Sequence, residues 1–333
     1  MSDDSIATDL REIVYSYRKA QLLYIAAKLE ISSILADGSM SSDEISKRTE
    51  TDPDTLYRVL RALSSFGVYK ENPNKYFELT TKGTFLQKDT PGSVWIDVVM
   101  RMEEYNWRPW GELLYSVKTG QSSFEKIFGM NLFEYLSDNP EASLTFSEAM
   151  GIYTKKQANV VLEDYDFSPF GIIADIGGSN GDLLKKILSK NIHVQGLLFD
   201  LPTVIQKIQF ELFEPAVRSR LKIVEGSFFE KIPGKCDLYI LKKIIHDWDD
   251  EHSKRILENC FKACPNGSRI LLIESIINKE DKHFSDNAIN DIHMLVQTIG
   301  GRERTIDEYF QMLSEVGFEP LTGRINYIEA IKR

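Results

Sequence analysis

The chain has 333 residues, 42% apolar and 27% charged, with a formal net charge of −10. That length points to two domains or one with an appendage, the composition excludes widespread disorder, and the longest apolar runs, such as Ile270–Ile273, are too short to cross a membrane. The acidic balance argues against nucleic acid as the main partner, because phosphate backbones attract basic surfaces. The start, Met1-Ser2-Asp3-Asp4, is acidic where an export signal would be basic and then apolar. Cys236, Cys260 and Cys264 leave one thiol unpaired and form no C-x-x-C, so a cytoplasmic setting without disulfides is expected.

Residues 1–90 read as mostly helical. Leu22, Leu23, Ile25, Ala26, Leu29, Ile31 and Ile34 recur on one helical face. Ser41 caps a helix whose first turn carries Asp43 and Glu44. Asp52-Pro53-Asp54 opens another helix, with Leu56, Val59, Leu60, Leu63 and Phe66 inward and Gly67 at its end. Val68-Tyr69, a polar turn over Glu71–Lys75, and Tyr76–Leu79 then read as a hairpin, which completes a winged helix-turn-helix pattern. Residues 91–165 are helical and aromatic-rich. Core packing accounts for most of those rings, and a flat ligand would want some as pocket walls; Phe146, Met150 and Tyr153 share a helical spacing that suits either use.

From about residue 166 strands alternate with helices, at Ile172–Ile176, Val194–Asp200, Leu221–Val224, Cys236–Leu241 and Ile270–Glu274, followed by a helix from Thr305 to Val316 and two last strands near Leu321 and Ile328. This alternation implies an α/β domain with a mostly parallel sheet, whose ligands bind beyond the carboxyl ends of the strands. Asp175-Ile176-Gly177-Gly178-Ser179-Asn180-Gly181 forms the first strand-to-helix turn, and Asp200 ends the second strand. A glycine turn followed by a strand-end acid suits a nucleoside-bearing cofactor, with the carboxylate on the ribose hydroxyls. The spacing of Gly177, Gly178 and Gly181 departs from the G-x-G-x-x-G of nicotinamide enzymes.

Leu241–Glu251 begins on the fourth strand, so His246 falls just past a carboxyl end. Glu274 ends the fifth strand, and Glu303 lies in the loop Gly300–Thr305. A histidine with two carboxylates from neighbouring segments is a base-and-orienter constellation. A phenol, of pKa about 10, must lose its proton to become a good nucleophile, and imidazole can take it. Asp247, adjacent to His246, reads as a cap of the following helix. No acidic pair stands at an obvious ligand spacing, so no metal is expected.

These segments, with Phe199-Asp200-Leu201-Pro202 and Gly226-Ser227-Phe228-Phe229, resemble the S-adenosylmethionine-dependent small-molecule O-methyltransferases, which include hydroxyindole, caffeate, phenazine and polyketide enzymes. The resemblance covers nearly the whole chain. It implies a Rossmann-like methyltransferase domain with a mostly parallel seven-stranded sheet (166–333), a helical connector (91–165) and an N-terminal all-helical winged-helix dimerisation domain (1–90). It further implies a homodimer, S-adenosylmethionine as cofactor, and a small aromatic, secondary-metabolite acceptor. Carried over, Asp175, Gly177, Gly178, Asp200 and Leu201 hold the cofactor's methionine and ribose ends. Gly226, Ser227 and Phe228 surround its adenine, Lys242 or Lys243 touches it from the fourth strand, and His246 is the base flanked by Glu274 and Glu303. His293 and Met294 join Phe146, Met150 and Tyr153 as candidate pocket residues. Two positions depart from the family pattern: Ser179 replaces the third glycine of the turn, and Ser227 stands where an Asp is usual.

Three other readings fit parts of the sequence. A winged-helix DNA-binding regulator would need a basic recognition helix, but Asp54–Phe66 holds only Arg58 and Arg61 as bases. Altered chemistry on the same fold, such as N-methylation, decarboxylation or hydroxylation, leaves no sequence mark that excludes it. A nicotinamide dehydrogenase is disfavoured by the glycine spacing.

Overall fold

The computed structural model describes residues 3–333, so Met1 and Ser2 lie outside it, and it divides into two units: residues 3–107 with 139–149, and residues 108–138 with 150–333. The first unit opens with the long helix Asp3–Lys28. Strand β1 (Met40–Ser41) leads into the helix Ser42–Thr49, which starts with a reciprocal capping box between Ser41 and Glu44. Asp52 accepts from Thr55 N and starts the helix Pro53–Ser65. Strands β2 (Tyr69–Asn72) and β3 (Tyr76–Leu79) form the wing, and β1 adds to it in the order β1-β3-β2. The domain expected to be all-helical is therefore helical with a small sheet. Two residues are too short for periodicity to show as a strand, which is why β1 was not foreseen. Ala26, Ile31, Leu35, Leu56, Leu60 and Phe77 form its core.

The second unit is built on seven strands: β4 (Ile172–Ile176), β5 (Gln195–Asp200), β6 (Leu221–Glu225), β7 (Leu238–Lys242), β8 (Arg269–Ile273), β9 (Glu319–Arg324) and β10 (Tyr327–Ile331). Their order is β6-β5-β4-β7-β8-β10-β9, with β10 antiparallel to both neighbours and every other pairing parallel. Leu238, Tyr239, Ile240 and Leu241 are all fully buried, as a central strand covered on both faces requires. Separate apolar clusters fill the two faces, one around Ile256, Leu257 and Tyr309 and the other around Leu184, Ile187 and Phe213. The strand order reverses between β4 and β7, so their carboxyl ends flank the crevice where such sheets bind ligands. Among the described residues no helix is long and apolar enough to cross a membrane.

Candidate active site

One side of the crevice is the turn after β4. Gly177 N donates to Phe199 O, which holds the turn against the end of β5. Gly178 has no room for a side chain: a Cβ would lie 2.4 Å from Leu198 and 2.7 Å from the Asp175 carboxyl carbon. Gly177 is similarly closed by Ile244, so packing within the protein, apart from any ligand, already requires these glycines. Ser179 sits at φ +53°, in the left-handed region where glycine is unstrained. Its N–H donates to Asp200 Oδ2, while Leu201 N donates to Oδ1. Asp200 is thus aimed by two backbone donors, and Leu201 is largely exposed beside it.

Asp175 is buried at the end of β4, and neither carboxylate oxygen has a hydrogen-bond partner among the described residues. Burial pushes its pKa up to about 7; the nearby Lys242 ammonium pulls it down and Asp200 adds to the rise. An unsatisfied buried carboxylate is costly, and a cationic ligand group would relieve that cost. Gly226 carries no side chain because the Phe199 ring would stand 2.8 Å from its Cβ. Ser227 Oγ accepts from Phe229 N at 3.2 Å, and the Phe228 ring packs edge-on against Phe229 and Trp248.

The other side follows β7. The chain leaves it through Lys243, at φ +55°, and a short 3-10 turn, Ile245–Asp247, that carries His246. His246 Nδ1 lies 3.0 Å from Glu303 Oε1. An ionised carboxylate can only accept, so Nδ1 carries the proton and Nε2 is the free base position in the neutral ring. Glu274 brings a carboxylate oxygen within 4.8 Å of a His246 ring nitrogen, and it also holds the turn itself. Its Oε1 accepts from Ile244 N and Ile245 N, at 3.2 and 2.9 Å, and fixes the backbone of the turn. Asp247 does not cap the next helix; Asp249 does, accepting from His252 N, because Asp249 is the residue directly before that helix. Asp247 Oδ1 instead lies 3.4 Å from His246 Nε2.

Several supports escaped sequence reasoning because they come from distant segments. Asn290, on the helix Phe284–Gln297, donates to Glu303 Oε1 at 2.6 Å, and Asp291 accepts from Glu303 N. Arg304, almost fully buried, donates to the carbonyls of Ile245 and Trp248 and pairs with Asp250, clamping the histidine turn from behind. Gly301 backs onto the same turn, where a Cβ would stand 2.7 Å from His246 O. Arg302 and Arg304 pair with Glu308 and Asp250, which leaves Glu303 to the site. The sequence spacing of Glu274 and Glu303 gave no ligand pattern, yet the fold brings oxygens of both and a ring nitrogen of His246 within 4.8 Å of one another. Lys243 Nζ, 3.4 Å from Glu303 Oε1, already supplies a cation there.

Burial works against a charged His246, but Asp247, Glu303 and Glu274 outweigh it and hold its pKa above the ordinary value, with Lys243 opposing them. Burial likewise opposes ionisation of Glu303, yet His246 and Lys243 bring its pKa down to about 2. Glu274 and Asp247 are both raised, chiefly by burial.

Of the candidate pocket residues, His293 accepts at Nδ1 from Trp110 Nε1 at 3.1 Å, the two rings stacked, and Met294 is buried beside it. Phe146, Met150 and Tyr153 are half-buried on the helix Pro140–Asp164; Phe146 belongs to the first unit, the other two to the second. Phe124, Phe128 and Tyr135 pack on one another as core.

Comparison with known proteins follows this geometry. Residues 110–319 match the family model of the O-methyltransferase domain, and residues 12–89 match that of the O-methyltransferase dimerisation domain. The chain is 37% identical to the phenazine O-methyltransferase PhzM of Lysobacter antibioticus over 98% of this chain and 96% of that protein. Among solved structures, the mitomycin 7-O-methyltransferase MmcR superposes with a TM-score of 0.91 at 28% identity, covering 99% of this chain and 98% of that one. Human N-acetylserotonin methyltransferase, solved in complex with S-adenosylmethionine, superposes with a TM-score of 0.84 at 26% identity, covering 99% of both chains.

Proposed function

The chain belongs to the S-adenosylmethionine-dependent O-methyltransferases of the secondary-metabolite type, and we propose that it methylates a hydroxyl of a small aromatic acceptor with His246 as general base. The observation that carries this reading is the 3.0 Å pairing of His246 Nδ1 with Glu303 beside the crevice at the β4–β7 switch point. Relatives named for phenazine and mitomycin support a flat, multi-ring acceptor.

The residues of the crevice fit the cofactor: the unpartnered Asp175 carboxylate suits its cationic end, and Asp200 stands ready for its ribose. When bound, the cofactor supplies an electrophilic methyl group on a positively charged sulfur. The protein's part is proton handling and alignment. As the acceptor oxygen attacks, its proton passes to His246 Nε2. The ring becomes imidazolium, and Glu303 stabilises it through Nδ1–H. Glu274 and Arg304 hold the turn, so the ring stays aimed. His293, Met294, Met150 and Tyr153 are the residues we assign to the acceptor's walls. In this reading residues 1–90 form the dimerisation domain, 91–165 the connector and 166–333 the cofactor-binding domain. Three buried thiols without a disulfide support a reducing compartment such as the cytoplasm, which cell fractionation would check.

The test is His246→Ala with a phenolic acceptor of pKa near 10. Binding of S-adenosylhomocysteine, measured by calorimetry, should persist while turnover falls by about a hundredfold or more. Turnover near the wild-type rate would remove His246 as the base.

A further inference from the structure

His246 faces an excess of negative charge. Asp247 approaches Nε2 from its own turn, Glu303 takes Nδ1 from the loop after the helix Phe284–Gln297, and Glu274 stands at the end of β8. Asp291 lies behind Glu303, and the buried Tyr309, on the helix Ile306–Glu315, feels the charge of Glu274 and Glu303. Arg304 is directed to the carbonyls of the turn and to Asp250. Carboxylates this close draw a proton onto an imidazole, and a protonated imidazole cannot accept one.

Lys243 brings a further cation into the cluster beside Glu303. Lys243 leaves β7 with its N–H bonded to Ile273 O, then turns through left-handed backbone, φ +55°, that a non-glycine residue adopts only under strain. Lys242, one residue earlier, acts first on Asp175, also feels Glu274, and repels Lys243. The Lys243 ammonium lies 2.5 Å from Ser275 Oγ and 3.4 Å from Glu303 Oε1, the same oxygen that receives His246 Nδ1.

On the reading of His246 as the base, we infer that Lys243 is a positioning residue: its ammonium opposes part of the carboxylates' pull, so that Nε2 is free of a proton over a wider pH range and Glu303 stays ionised on Nδ1. Lys243 thus serves the proton acceptor through Glu303, while Lys242 acts chiefly on Asp175 and to a lesser degree on Glu274. The direction in which Lys243 acts on the ring, opposing the three acids, agrees with that geometry.

The experiment uses the full-length protein and its Lys243→Met and Lys243→Arg variants. The His246 ring is titrated by NMR on histidine-labelled protein, with its signal assigned by His246→Gln. The pH profile of kcat/KM is measured with a phenolic acceptor, and S-adenosylhomocysteine binding controls for folding. In Lys243→Met the His246 midpoint should rise by on the order of one pH unit. The acidic limb of kcat/KM should move with it, a loss of about tenfold at pH values below both midpoints that narrows at higher pH. Lys243→Arg should restore both. An unmoved His246 midpoint in folded Lys243→Met overturns the inference, whatever the activity does. A midpoint that rises while the limb stays put supports the role of Lys243 and instead removes His246 as the base.

Discussion

Glu303 Oε1 meets His246 Nδ1 at 3.0 Å across 57 residues of chain, and the same oxygen accepts from Asn290 Nδ2 at 2.6 Å. One carboxylate therefore sets both the tautomer of the ring and its tie to the helix Phe284–Gln297. Glu303→Gln keeps the shape and removes the charge. We predict a fall in kcat of about a hundredfold or more, by analogy with loss of a carboxylate that orients a catalytic imidazole. The carboxylate raises the pKa of His246, so its loss should also move the acidic limb of the pH profile downward. A fall in kcat with an unmoved limb would leave Glu303 a purely structural role.

The strands, the glycine turn and His246 were legible because each is local: apolar runs of strand length, a turn dictated by close packing, a residue a few positions past a strand end. Glu303 was legible as a carboxylate on a loop beside the strand ends, although the arginines on either side of it equally suit a surface ion-pair cluster. Asp247 misled because a helix start favours Asp, and Asp249 supplied one two residues later. The supports from Asn290, Ser275 and Arg304 depend on how loops fold back over the sheet, and no period or spacing in the chain encodes that contact.

On the proposed reading, in which Asp175 receives the cofactor's cationic end, this residue ties stability to cofactor binding. Its folded pKa is about 7 against an ordinary 3.8, so the folded state keeps this proton to higher pH than the unfolded chain does. Its effect on stability is therefore most favourable below the unfolded value and is lost as pH rises through about 7. Asp175→Asn should melt higher than the wild type at pH values above 7, with the difference vanishing near pH 4. The same substitution should weaken S-adenosylmethionine binding, because the neutral amide no longer attracts a cation. Equal melting temperatures across that range would mean that the buried carboxylate carries no such penalty.

The helix Asp3–Lys28 carries Leu10, Ile13, Val14 and Tyr17 on one stripe, and Val14 is 65% exposed. An apolar stripe at this spacing, with Leu10, Ile13 and Val14 largely exposed, suits an association surface, and most of it lies within the stretch that matches the dimerisation model. Ile13→Glu with Val14→Glu should convert a dimer to a monomer, as judged by light scattering. An unchanged dimer mass would move the interface elsewhere on residues 1–90.

Ser227, in the loop we assign to the adenine, offers a neutral hydroxyl that already accepts from Phe229 N. A carboxylate at the same position could keep that bond through one oxygen and offer the second to an adenine amine. Charge-assisted bonds are roughly twice as strong as neutral ones. Ser227→Asp should therefore tighten S-adenosylhomocysteine binding by several-fold to about tenfold, read by calorimetry, with kcat little affected because the contact is remote from the reacting oxygen. The added charge has to be weighed against Asp200 and Glu225 at the neighbouring strand ends, which repel it more weakly as salt rises. A gain that grows with ionic strength would identify that repulsion as the opposing effect, whereas weaker binding at every salt concentration would show that the hydroxyl suits this loop better than the acid usual in the family.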